Sequence, residues 1–155
     1  MYRLVVIDDE VQGIKALLSR LKLDYEVVGA AYDGIQGLEV IRNEKPDVVI
    51  TDIRIPGLDG LSVIEAAKDE CPDTNFIVIS GYSEFAYAQR ALTLGVKDYI
   101  DKPVTAEFLK KMSGGIWLEE LGVQTRKCRV EKVSAYRFRI VLTQGLNRQI
   151  RRMCR

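Results

Sequence analysis

The chain contains no histidine and only three cysteines, Cys71, Cys128 and Cys154. Without an imidazole, serine-histidine and cysteine-histidine catalysis, histidine phosphotransfer from this chain and imidazole metal ligation are all excluded. The cysteines are odd in number and widely spaced, and no histidine completes a zinc set. They are expected as reduced, mostly buried thiols. Long apolar runs are missing as well: no stretch of about 18 apolar residues offers a membrane span. Met1 leads into a strand-like segment and not into the basic, then apolar pattern of a signal peptide. A cytoplasmic chain without membrane contact is the resulting expectation. Any chemistry has to come from carboxylates, lysine or hydroxyls.

What is present divides unevenly. With 155 residues and 47% hydrophobic content the chain can bury a core, enough for one domain or one domain with an appendage. The formal net charge of +1 conceals two halves of opposite sign. Residues 1–111 hold 13 Lys and Arg against 19 Asp and Glu, net −6, whereas residues 112–155 hold 10 against 3, net +7. Such asymmetry predicts two parts with different partners. "SGG" at Ser113 to Gly115 supplies flexible backbone at the seam, which sets the expected units at 1–112 and 113–155.

Before the seam, short apolar runs alternate with helical patterns. Strands are predicted at "RLVVID" (3–8), "EVVGAA" (26–31), "DVVITD" (47–52), "NFIVIS" (75–80) and "DYID" (98–101). Between them Leu17, Leu18 and Leu21, then Leu38 and Ile41, then Ile64 and Ala67, then Ala88, Ala91 and Leu92 recur at helical spacing. Buried strands interleaved with amphipathic helices imply an α/β fold, a parallel sheet covered on both faces.

In such folds sites form at the carboxyl edge of the strands. Strand one runs into Asp8 and Asp9, strand three ends in Asp52, strand four in Ser80, and strand five runs into Lys102-Pro103. Singly, each has an ordinary structural reading as a cap, a turn residue or a strand exit. Jointly they put five polar side chains on one edge. Three clustered carboxylates repel unless neutralised, and a hard divalent cation with oxygen ligands does that without histidine. Magnesium fits.

The blocks "VVIDDE", "VVITDIRIPGLDG" and "IVISGYSEFAYAQRALTLGVKDYIDKPV" occur in an order that resembles the receiver domain of two-component response regulators, over roughly residues 2–112. The wording "SGYSEFAYA" is most similar to receivers attached to AraC-type DNA-binding regions. The resemblance implies a flavodoxin-like doubly wound sheet of order 2-1-3-4-5. It implies that Asp52 accepts a phosphoryl group from a sensor histidine kinase or a small phosphodonor, with Mg2+ held by Asp8, Asp9, Asp52 and the backbone carbonyl of Arg54. Lys102 would pair with the phosphoryl oxygens, aimed by a cis bond before Pro103. Ser80 would donate its hydroxyl, and Tyr99 would reorient on activation. A receiver of this kind is not an enzyme with its own substrate, although it takes part in its own phosphorylation and dephosphorylation. One departure is expected: "TAEFLKKM" meets Ser113 after about two helical turns, so the fifth helix should be short.

Beyond the seam, "TRKCRVEKV" (125–133) and "YRFRIVLT" (136–143) alternate as half-buried strands, and a short basic helix follows Asn147. This basic β-β-α appendage resembles part of the bacterial ribosomal large-subunit pseudouridine synthases, through "GVQTRKCRVEKVSAYRFRIVLTQGLNRQIRRMC". The resemblance implies that Arg151 matches an arginine near that family's catalytic aspartate and that Arg148 and Arg152 face RNA phosphates. The aspartate belongs in an Arg-Leu-Asp context that is absent here, so pseudouridine formation is not expected. A solvated basic helix face explains the same arginines. Two unrelated families joined at a glycine seam read as a recombined or engineered chimera. Its tail is either an RNA-binding remnant or a structural part. In the latter case Tyr136, Phe138, Ile140 and Leu142 need a cover, on the receiver or in a homo-oligomer.

Overall fold

The computed structural model describes residues 1–21, 23–81 and 85–113, with side chains to residue 110. Five strands, β1 (Tyr2–Ile7), β2 (Tyr25–Ala31), β3 (Val48–Asp52), β4 (Asn75–Ser80) and β5 (Asp98–Asp101), alternate with five helices. The helices are α1 (Val11–Arg20), α2 (Gly34–Glu44), α3 (Gly60–Glu70), α4 (Phe85–Thr93) and α5 (Ala106–Ser113). All strand pairs are parallel and the order is β2-β1-β3-β4-β5, the flavodoxin-like doubly wound arrangement that the sequence predicts.

Strand alternation sorts the core into two layers. Val5, Ile7, Val49, Phe76 and Val78 face one side and pack with Ile41, Leu61, Ile64, Ala67, Ala88 and Ala91 of α2, α3 and α4. Leu4, Val6, Val48, Ile50, Ile77 and Ile79 face the other, against Val11, Ile14 and Leu18 of α1 and Leu109 of α5. Near-continuous apolar strands are what burial on both faces requires. Each large aliphatic side chain so buried contributes about 1.5–3 kcal/mol. The helical spacing misassigned one residue. Leu92 is exposed, because Ala88 and Ala91 already fill the inward stripe of α4.

Helix starts are set locally. The Asp33 and Asp59 side chains accept hydrogen bonds from Gln36 N and Ser62 N, capping α2 and α3. At Gly60 a β-carbon would collide with the carbonyl of Asp52, so only glycine lets α3 begin this close to the end of β3. Helices α3 and α4 are tied at two points. Arg90 bonds Glu65 at 2.9 Å and Ser62 at 3.1 Å and lies 3.5 Å from Asp59, while Lys68 Nζ donates to the carbonyl of Leu94.

Cys71 is a buried free thiol, as expected. The strands and basic helix expected in the tail, Cys128 and Cys154 lie outside the described residues, and the expected short fifth helix falls at their border. No described helix is long and apolar enough to cross a membrane.

Candidate functional site

The parallel order brings the carboxyl ends of β1, β3, β4 and β5 together. Asp8 follows β1 and is 1% exposed; Asp52 closes β3 and is 6% exposed; Asp9 stands at the surface. One carboxylate oxygen from each of the three lies within 4.8 Å of the other two. The ammonium of Lys102, arriving just past β5, sits 2.7 Å from Asp52 Oδ2 and 2.9 Å from Asp8 Oδ2. The remaining oxygens are turned by the backbone: Glu10 N donates to Asp8 Oδ1 at 2.7 Å and Arg54 N to Asp52 Oδ1 at 3.2 Å.

Lys102 is itself positioned by the strand next to it. Its amide donates to the carbonyl of Ser80 at 2.8 Å, and the bond to Pro103 is cis, as the sequence reading expects. Burial alone would lower the pKa of this lysine. Hydrogen bonds and charge from Asp52 and Asp8 outweigh it and hold the ammonium above its ordinary value.

The four charged residues singled out from the sequence, Asp8, Asp9, Asp52 and Lys102, therefore converge. Ser80 is buried at the end of β4 and joined to Lys102 through the backbone. Arg54 contributes its amide, while its guanidinium lies 5.8 Å from the ring centroid of Tyr87 on α4. Tyr99 is buried within the core layer under α2, α3 and α4. Arg148, Arg151 and Arg152 lie outside the described residues.

Two contributors were not foreseen. Thr51, fully buried, donates its hydroxyl to the carbonyl of Asp52 at 3.0 Å. Gly60 keeps the space beside that carbonyl open. The Asp59-Gly60 pair before an apolar helical run was the signal available for the second.

The cluster fits a divalent cation on its own chemistry. Its ligand atoms are all hard oxygens, and buried Asp8 Oδ2 meets the Lys102 ammonium at 2.9 Å. These residues can hold such an ion.

Comparison with known proteins agrees with this geometry. The family model "Response regulator receiver domain" matches residues 4–113. An uncharacterized transcriptional regulatory protein, YesN of Bacillus subtilis, is 38% identical over 106 residues, 66% of this chain and 29% of that protein. A protein-glutamate methylesterase/protein-glutamine glutaminase of Lawsonia intracellularis is 43% identical over 105 residues, again 66% of this chain and 29% of that protein. The chain thus spans under a third of the length of these two curated relatives. Among solved structures, the receiver domain of the response regulator AraT from Geobacillus stearothermophilus is 32% identical with a TM-score of 0.66, covering 78% of this chain and 95% of that one. The signal receiver domain of the putative response regulator NarL from Mycobacterium tuberculosis is 34% identical with a TM-score of 0.65, covering 75% and 95%. Fold and acidic cluster together are those of a receiver domain and are consistent with a phospho-accepting role. Over residues 4–113 this chain belongs to the response regulator receiver domain family.

Proposed function

We propose that Asp52 is the phosphoryl acceptor, taking the group from a phosphohistidine of a sensor kinase or from a small donor such as acetyl phosphate. An Asp52 carboxylate oxygen forms the new bond to phosphorus, while the bond from phosphorus to the donor's imidazole or acetate breaks. The observation that carries this reading is the Lys102 ammonium set between Asp52 and Asp8 beside the acidic cluster. A carboxylate attacks a phosphoryl group only where the approaching negative charges are offset.

Asp8, Asp9 and Asp52, with the carbonyl of Arg54, are the residues proposed to hold Mg2+. When bound, that ion supplies charge neutralisation at the phosphoryl oxygens. Lys102 pairs with a phosphoryl oxygen, and Ser80 donates its hydroxyl to another. Thr51 and Gly60 hold the peptide of Asp52 so that its carboxylate stays aimed at the edge. Tyr99 follows Ser80 by changing orientation, which passes the modification to the β5 side of the domain.

The wording at residues 80–88 favours an AraC-type output. The net charge of +7 on residues 112–155 favours weak polyanion binding by a unit of its own, read as a pseudouridine-synthase-like piece of a chimera in which Arg148, Arg151 and Arg152 meet RNA phosphates.

The test is intact-mass analysis after incubation with acetyl phosphate and magnesium. Wild type gains one phosphoryl group and Asp52→Asn gains none. Equal labelling of the two proteins removes Asp52 from this role.

A further inference from the structure

The loop from Ile53 to Asp59 joins β3 to α3 and follows Asp52 directly. Within it Arg54 donates its amide to Asp52 Oδ1 at 3.2 Å and offers the carbonyl proposed for Mg2+. Backbone bonds fasten the loop at its base and its middle. Gly60 N donates to the carbonyl of Ile53 at 3.0 Å, and Gly34 N, at the start of α2, donates to that of Pro56 at 3.0 Å. Gly57, at a φ of +78°, supplies the left-handed turn that follows. Side chains of α4 meet the same loop near both its ends. At the start, the guanidinium of Arg54 lies 5.8 Å from the centroid of the Tyr87 ring, within cation–π range. At the end, Arg90 lies 3.5 Å from Asp59 Oδ1 and donates to Ser62 Oγ at 3.1 Å and to Glu65 at 2.9 Å. Asp59 in turn accepts from the amide of Ser62 at 3.0 Å and from its hydroxyl at 2.5 Å. Tyr87 and Arg90 are three residues apart and share one face of α4.

Exposure limits what each contact contributes to folding. The Arg90 and Asp59 side chains are 42% and 44% exposed, and single ion pairs at such exposure are weak. Their placement gives them a different importance. Ligands of a cation have to be held to about 0.5 Å, and here two of them, the Asp52 carboxylate and the Arg54 carbonyl, belong to or adjoin this loop. We propose that Tyr87 and Arg90 are positioning residues for the metal edge: from one face of α4 they clamp both ends of loop 53–59 and so set the affinity for magnesium. Neither residue touches the ion. The proposal rests on the reading that Asp8, Asp9, Asp52 and Arg54 hold Mg2+, and extends it to a helix that supplies no ligand.

The experiment is calorimetric titration of the full chain with magnesium, joined to residue-resolved amide hydrogen exchange in a chelator. Arg90→Met and Tyr87→Leu are each expected to weaken magnesium binding about fivefold. Tyr87→Phe keeps the ring under Arg54 and is expected to bind as wild type does. In chelator, the amides of residues 54–60 should exchange faster in the two weakened variants, while those of β1, β3 and β4 keep their wild-type rates. Unchanged affinity in both Arg90→Met and Tyr87→Leu overturns the proposal, as does Tyr87→Phe binding as weakly as Tyr87→Leu. Exchange that quickens equally in loop and strands also overturns it, because the effect is then a general loss of stability. A wild-type chain that binds no magnesium overturns the metal reading itself and the clamp with it, an outcome that the wild-type titration alone identifies.

Discussion

Replacing Lys102 with methionine removes the cation between Asp8 and Asp52 while keeping most of the length of the side chain. The ammonium stands 2.7 and 2.9 Å from the two carboxylates. At an effective dielectric constant of about 20 each attraction is worth about 6 kcal/mol before desolvation, and two carboxylate oxygens within 4.8 Å of each other repel by at least about 3.5 kcal/mol. Desolvation of the lysine offsets part of the attraction. Breaking a buried pair by removing one partner costs about 3–5 kcal/mol, and the 25% exposure of the Lys102 side chain points to the lower end. A loss of about 3 kcal/mol lowers the Tm of a domain of this size by about 10 °C. The deficit should be specific to conditions without metal. A cation at a hundred times its Kd returns about 2.7 kcal/mol, and Lys102→Met has more repulsion to relieve than wild type. Thermal melts of both proteins in a chelator and in excess magnesium test this. The expected result is a large gap in chelator that narrows with magnesium. Equal Tm values in chelator, or the same magnesium increment in both proteins, would refute the electrostatic account.

Gly60→Ala should cost about 1–3 kcal/mol as an overpacked site and also suppress labelling of Asp52. The added methyl meets the carbonyl of Asp52 and the Thr51 hydroxyl, neither of which can retreat; a melt and an intact-mass assay read the two effects. Stability should hold to about pH 10 and then fall, because Lys102 and Tyr25 both have pKa values raised by folding. Their contributions are complete below the unfolded values and are lost as pH rises through the folded ones. Urea titrations at several alkaline pH values should show the decline, and Tyr25→Phe should blunt it. Binding of the full chain to an RNA fragment should be weak, sequence-tolerant and steeply reduced by salt, as fluorescence anisotropy can measure, with no uridine isomerised.

The strands were legible because burial on both faces leaves near-continuous aliphatic runs. The predicted 75–80 and 98–101 coincide with β4 and β5, and the other three strands differ by a residue at one or both ends. The charged site was legible for a related reason: a parallel sheet aligns strand ends, so Asp8, Asp52 and Lys102 could be grouped before their distances were known. What escaped depends on contacts between elements. The register shift between Leu4 and Val5 in the pairing of β1 with β2, the hydroxyl of Thr51 under Asp52, and the Arg90 ties from α4 to α3 leave no periodic trace. Leu92 was misread because spacing identifies a helical stripe but not where its inward edge stops.

The same parallel order has a consequence for how the chain acquires its site. Asp8 and Lys102 follow β1 and β5, the first and last strands among the described residues, yet both meet Asp52 on the central one, so no single βαβ unit holds the acidic edge complete. Bringing such distant positions together costs loop-closure entropy before any contact compensates for it, which places this step late in folding. A nascent chain that has formed only its first three strands therefore exposes Asp8, Asp9 and Asp52 without the lysine that balances them. On the proposed function, competence to accept a phosphoryl group then arrives with β5, and a chain whose synthesis or folding stops short of β5 would lack it.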